Sequence, residues 1–325
     1  MRQSTSVLVA MLWAWTVTCS AAEPVEKPDA PGAVVAIKKL NVQLEYDDHG
    51  HIVSVNFPRS GFAFGSSFKN TDAACVHLKG LPHLRRVKAR TTDISDAGLV
   101  HLGEITWLEE LNLSRGIGSR TVITPAGLTH LKGLTGLKIL NLSNRGIRDE
   151  AIIHLTGFSK LESLSLYGSR VSRAGAYELV ELSNLRRLYL GSSSRIDDSA
   201  LEYLGRLKEL RELDIGGARG TGVTGAGLVR LKRLSKLEVL GLSRLSLSDE
   251  GVAHLKGLTS LKELDLQGAD LTDAGLEHLK TMKGLVSIDL RDTYTTAAGR
   301  EQLRKALPDA KIHASFFPRK RPDQP

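Results

Sequence analysis

Leu261-Lys262-Glu263-Leu264-Asp265-Leu266, followed by Leu271-Thr272-Asp273-Ala274-Gly275-Leu276-Glu277-His278-Leu279, is the stretch of this 325-residue chain that decides its fold. The hexad alternates apolar and polar side chains at its end, as a short strand with one buried face requires, and predicts a strand of about four residues. Leu276 and Leu279 stand three apart and put one helical face inward. Thr272 ahead of them can accept a bond from the first helical amides, and Asp273 adds a favourable charge near the helix N-terminus. The predicted unit is strand, turn, helix and return.

The same apolar-x-x-apolar-x-apolar hexad begins at Ile52, Leu84, Leu108, Leu137, Leu161, Leu185, Leu210, Leu237, Leu261 and Leu285. Five of the nine intervals are 24 residues, and the rest read as that unit with insertions of 1, 3, 5 and 8 residues. A period in this range specifies a solenoid, in which each unit needs only its neighbours for burial. Cap-and-acid pairs recur at Ser95-Asp96 and Ser248-Asp249.

These residues resemble the leucine-rich repeat family, and the resemblance covers about residues 52 to 314. It implies an α/β right-handed solenoid, a horseshoe with a concave parallel β-sheet and convex helices. At ~4.8 Å per strand, ten strands give an inner surface roughly 45 Å long. Where many members carry a buried asparagine ladder after the strand, this chain has Thr92, Ser169, Ala269 and Thr293, with Arg145 and Leu245 in two units. Bonding between units is therefore expected to be weaker or differently organised.

Around the array, residues 1–22 read as a signal peptide, with Arg2, the apolar Val7 to Val17 and cleavage after Ala22. That apolar run is too short for the ~30 Å hydrocarbon core, so no membrane span is expected, and the chain is read as secreted or periplasmic. Cys19 is expected to leave with the signal, and Cys75 then stands alone as a small buried apolar residue without a disulfide. Residues 23–32 read as a flexible linker, 33–51 as an N-terminal cap of helix and hairpin strand, 52–295 as the ten units, and 296–325 as a C-terminal cap and basic tail. In the tail, Phe316 and Phe317 are expected to close the core and Arg319-Lys320-Arg321 to be a solvated end.

No catalytic group stands out. Gly220-Thr221-Gly222-Val223-Thr224-Gly225 fits a nucleotide-binding spacing between strand and helix, but every unit has a strand before and a helix after, and no ribose-binding acid follows the next strand. A histidine column at His77, His101, His130, His154, His254 and His278 lacks a cysteine or paired carboxylate to complete a ligand set. Glu109-Glu110 and Asp197-Asp198 cannot converge on one bond for acid–base work, since adjacent strand residues point to opposite faces, and they are expected to be solvated. No cofactor and no metal are expected, and the chain is read as a non-enzyme.

What remains is surface. Three rows of side chains are expected to point into the concavity: Arg86, Lys88 and Arg90 early, Asn112, Asn141, Ser165, Tyr167 and Tyr189 in the middle, Asp214 and Asp265 late. This face is read as graded from basic to acidic, a pattern that orients a dipolar partner. The insertions all fall just after a strand, on one edge of the solenoid, and read as a recognition rim. Its longest loop holds Phe62, Phe64 and Phe68, which either cover the N-terminal core or contact a partner.

By resemblance to secreted bacterial leucine-rich repeat proteins, the expected role is a non-catalytic protein-binding module or scaffold in the envelope or outside the cell. The formal charge of +8, or +7 once Arg2 is removed, supports a second reading as a binder of anionic envelope glycan or polymer. Nucleic acid is not expected, because no binding motif or interleaved aromatics accompany the charge. A third reading, an adaptor similar to the leucine-rich repeat substrate receptors of ubiquitin ligases, rests on the repeats alone. Oligomeric state is open.

Overall fold

A computed structural model describes residues 27–57, 71–90, 92–116, 122–217 and 221–315. The signal segment, Phe62, Phe64, Phe68, Gly220, Phe316, Phe317 and the basic tail lie outside the described residues.

Among the described residues, twelve strands form one sheet in chain order. They are β1 (Gln43–Tyr46), β2 (Ile52–Asn56), β3 (Arg86–Lys88), β4 (Glu110–Asn112), β5 (Ile139–Asn141), β6 (Ser163–Ser165), β7 (Arg187–Tyr189), β8 (Glu212–Asp214), β9 (Val239–Gly241), β10 (Glu263–Asp265), β11 (Ser287–Asp289) and β12 (Lys311–His313). The antiparallel β1 lies against β2 and occupies the edge of the sheet there, and from β2 onward every pairing is parallel. A helix follows each strand from β2 to β11, so helices and sheet form two layers around one row of leucines. Leu164, Leu188, Leu213, Leu240 and Leu264 are the central residues of successive strands and at most 2 % exposed. Each such side chain contributes roughly 1.5–3 kcal/mol of burial, and the array shares that burial between neighbours.

The repeating strands hold three residues rather than four, because the chain turns at once. Three positions after the last strand residue, seven successive units place a residue in the left-handed region: Asn144, Gly168, Ser192, Gly217, Arg244, Gly268 and Asp292. Only three of these are glycine, the residue that enters this region without steric cost. The turn still serves the ladder. Asn144 N–H donates to Tyr167 O at 2.7 Å, Gly168 to Gly191 O at 2.8 Å and Arg244 to Gln267 O at 2.6 Å, so bonding between units continues past the strand.

The expected reorganisation of bonding between units takes a definite form. Asp149 at the start of one helix accepts Ser172 N–H at 2.7 Å and Ser172 Oγ–H at 2.6 Å from the next unit. The same contact joins Asp72 to Ser95, Asp96 to Thr124, Asp198 to Thr224, Asp249 to Thr272 and Asp273 to Thr296. The caps foreseen at Ser95, Ser248 and Thr272 thus bond backward as well as forward, except Ser248, whose hydroxyl donates to Glu250. Glycine makes room for each acid. A Cβ at Gly175 would lie 2.6 Å from Asp149 Oδ1, and Gly98, Gly127, Gly227, Gly275 and Gly299 face the preceding acid in the same way.

Where a unit has Pro125 or Arg173 in place of the acid, the next unit has Ala151 or Ala200 in place of the glycine. Gly225 is the third substitution, and Gly251 then packs backbone against backbone with it. Arg145 replaces a ladder residue in its own way. It is 3 % exposed and reaches back through two units, donating from Nε to Leu113 O at 2.5 Å and from Nη1 to Ile94 O at 3.4 Å. Burial, and after it the charge of Arg115, lowers its guanidinium to about 10.

Several boundaries and contacts differ from the sequence reading. The first helix spans Pro31–Lys38, so it begins two residues inside the predicted linker, as a proline in the first turn allows. Glu109 and Glu110 pair with Lys138 at 2.8 Å and Lys88 at 3.6 Å. Asp197 caps its helix by accepting Ala200 N–H at 2.9 Å. Cys75, in agreement with the sequence reading, is fully buried, which pushes its thiol well above the ordinary range.

Candidate functional site, the concave face

Parallel pairing without register shift sets side chains of successive strands side by side. One row runs Lys88, Asn112, Asn141, Ser165, Tyr189, Asp214, Gly241, Asp265, Asp289 and His313. A second row holds Arg86, Glu110, Ile139, Ser163, Arg187, Glu212, Val239, Glu263 and Ser287. Every described residue of the predicted contact set therefore lies in or beside one of two rows, with Arg90 and Tyr167 in the turns that follow β3 and β6.

Many of these residues also hold the backbone. Asn112, Asn141, Asp214, Asp265 and Asp289 each accept, through Oδ1, the amide two residues on, at 2.9 to 3.1 Å. This is the Asx turn, which starts the departure from the strand. Ser165 Oγ bonds Ser143 Oγ at 2.7 Å, and Tyr167, 41 % exposed, accepts Ser192 Oγ–H at 2.8 Å. The second carboxylate oxygen of Asp289 is taken up by Arg291 as well.

The charge gradient takes a different shape from the one expected. Arg86 pairs with Glu45 of β1 at 2.7 Å and Lys88 with Glu110, so the basic end is compensated from within. Arg90 is exposed. At the other end, a groove of about 480 Å³ is lined by five carboxylates, those of Glu212, Asp214, Glu263, Asp265 and Asp289, with one guanidinium, Arg291. Gly241 and Val239 form its floor between Asp214 and Asp265.

Burial raises the Asp214 carboxyl above its ordinary value against the pull of the Gly216 amide, and the charge of Asp265 adds to the rise. Burial does the same at Asp265, with the charge of Asp289 adding to it. Asp289 is held by its neighbour, Arg291 Nε lying 2.9 Å and Nη2 2.5 Å from Oδ2. At the edge of the groove Tyr189 donates its hydroxyl to Glu212, and burial with that bond raises the phenol to about 12. Such a set of half-desolvated acids attracts a cation that can replace the lost water.

Elsewhere, Gly222 and Gly225 of the glycine-rich segment lie where neighbouring units approach too closely for a Cβ. The histidine column alternates between exposed (His77, His130, His254) and half-buried (His101, His154, His278). The four insertion segments lie between β2, β4, β7 and β8 and the helices that follow them, and parallel strands put those ends on one edge of the sheet. The convex surface carries a separate cleft of about 310 Å³ with Arg206, Arg230, Lys232 and Arg233 beside Glu202. The sequence reading missed the acid-hydroxyl-glycine ladder, whose signal was the loss of the glycine at two of the three places where the preceding acid is lost.

A solenoid of strand-turn-helix units with a polar concave sheet defines a class, and the comparisons place this chain in it. The family described as leucine-rich repeat region matches residues 63–321, and the chain belongs to that family. Among solved structures, an internalin from Listeria monocytogenes is similar at 18 % identity and a TM-score of 0.52, over 89 % of this chain and 95 % of that one. An internalin C2 from the same organism is 23 % identical with a TM-score of 0.50, over 82 % and 99 % of the two chains. No curated protein matches the chain in sequence. Among the described residues no helix is long and apolar enough to cross a membrane.

Proposed function

We propose that this chain is a non-catalytic protein-binding module of the cell envelope or extracellular space. Its concave sheet is the contact face, and the acidic half takes a cationic segment of the partner. The observation that carries this reading is the groove with five carboxylates and one guanidinium, two of whose aspartates are held above their ordinary range by burial. A lysine or arginine side chain entering there replaces water around carboxylates that the protein has partly desolvated. Tyr189 and Tyr167 supply apolar contact surface beside it, as aromatic residues do at interfaces.

The test is a cross-linking pull-down from the native envelope fraction, comparing wild type with Asp214→Asn/Asp265→Asn/Asp289→Asn and with Arg86→Glu/Lys88→Glu/Arg90→Glu. A protein partner retained by wild type and lost from the asparagine variant is the expected result. Loss from the glutamate variant alone would move the contact to the basic end, and equal recovery by all three would remove the concave face from the proposal.

One observation favours a second reading, an anionic glycan or polymer as ligand. The cluster of Arg206, Arg230, Lys232 and Arg233 on the convex side is the surface for it. Polymer binding there would weaken steeply with salt and be indifferent to both concave variants.

A further inference from the structure

Away from the concave groove, one group of His, Cys, Asp or Glu side chains among the described residues is close enough to share a metal ion. Asp47, His51 and His83 bring their ligand atoms within 4.8 Å of one another. They arrive from separate places, Asp47 and His51 from the turn between β1 and β2, His83 from the segment that leads into β3.

The carboxylate is already positioned. Asp47 Oδ1 accepts the His49 amide at 3.0 Å and the His51 amide at 2.8 Å, which leaves Oδ2 facing His51 Nδ1 at 3.3 Å. Burial works to raise the Asp47 carboxyl, but the bonds from His51 and His49 outweigh it and hold it below its ordinary value. In a tetrahedral zinc site with bonds of about 2.0–2.2 Å, neighbouring ligand atoms stand about 3.3–3.6 Å apart. Oδ2 and Nδ1 already have that spacing.

The His83 ring stacks on that of His51, with centroids 3.9 Å apart and planes 10° from parallel. Its Nε2 lies 2.9 Å from Lys27 O. A carbonyl only accepts, so that contact puts the proton on Nε2 and the lone pair on Nδ1. A histidine whose far nitrogen donates to a backbone carbonyl is the arrangement that orients metal-bound imidazoles.

We propose that Asp47, His51 and His83 bind one divalent ion of the zinc class, with the fourth position open to water. Two imidazole nitrogens and one carboxylate oxygen suit zinc rather than calcium or magnesium, which take oxygen donors. Lone pairs lie in the ring planes, so binding tilts the stacked rings toward a common centre, and the ion replaces the stack. The result is a clamp between the hairpin turn and the lead-in to β3, at the end of the sheet that β1 covers.

The experiment is a titration of the full chain, freed of metal by chelator, with zinc sulfate, followed by calorimetry and thermal melting. One equivalent bound, with a rise in Tm, is expected. His51→Ala and His83→Ala each weaken that binding at least about tenfold, whereas His130→Ala/His154→Ala leaves it unchanged. Asp47→Asn keeps an oxygen for the two amides and removes the charge, so it weakens zinc without disturbing the turn. Metal-free Tm and circular dichroism establish that each variant is folded. Absence of a bound equivalent, or binding that survives in His51→Ala, His83→Ala and Asp47→Asn, overturns the proposal.

Discussion

Asp149 and Gly175 behave as one device, because the carboxylate that bonds Ser172 N–H, Ser172 Oγ–H and Gly175 N–H occupies the space a Cβ on Gly175 would need. Asp149→Ala removes a charged acceptor and costs about 1.5–3 kcal/mol. Gly175→Ala forces the acid aside and costs about 1–3 kcal/mol. The double variant should cost clearly less than the sum, since Ala151 and Ala200 occupy the glycine's place where Pro125 and Arg173 replace the acid. Urea denaturation of the four proteins measures this coupling, and strict additivity would count against the ladder.

Asp214 offers a different reading at the same scale. Burial raises its folded-state value, so between the unfolded and folded values the native chain holds the extra proton. Its contribution is full below the unfolded value and is lost as pH rises through the folded one. Asp214→Asn keeps the acceptor for Gly216 N–H and removes that loss, so the variant should melt higher than wild type at neutral pH and lose the advantage in acid. A Tm series across pH checks the sign. Stability given up for a buried charge is what the proposed role of Asp214 in recognition predicts. The hydroxyl caps and their acids were legible in the sequence, but a bond between residues 23 positions apart, such as Asp149 to Ser172, becomes visible only once units stack. The compensation of Arg86 by Glu45 was hidden for the same reason, since the partner lies 41 residues earlier.

At the scale of the element, the apolar period settled which residues face inward, and Leu164 is the clearest case, fully buried between Ser163 and Ser165. Leu164→Asp should place an unpaired charge in the core and cost at least ~3 kcal/mol, read as a lower denaturation midpoint. An unchanged midpoint would contradict the register of β6. Strand length was less legible. The strands end early because the following turn needs a left-handed residue, and Ser192 or Arg244 do not advertise one as glycine does. Arg244 carries about 1–2 kcal/mol of local strain at that position, held by the units on either side.

For the molecule as a whole, the net charge of +8 misleads about the concave face, because the excess of cations includes a convex cluster while the groove is acidic. Composition reports a sum, and recognition depends on placement. The fold itself was almost entirely written in the period of the leucines, whereas the polarity of its two faces depended on pairings that cross units.

The ladder of acids carries one more consequence. It is missing after Pro125, Arg173 and Gly225, where the sheet and the core continue but this rung of the convex side does not. Ten successive helices are thereby grouped as three, two, two and three, in a symmetric pattern along the chain. At the middle seam Arg173 donates to Tyr203 Oη at 3.1 Å in place of the missing rung. The horseshoe is therefore built like a segmented bow, with the rung present within each segment and absent at three joints. The acidic groove crosses the units on either side of Gly225, so a partner seated there would brace the joint at which glycine stands in place of the acid.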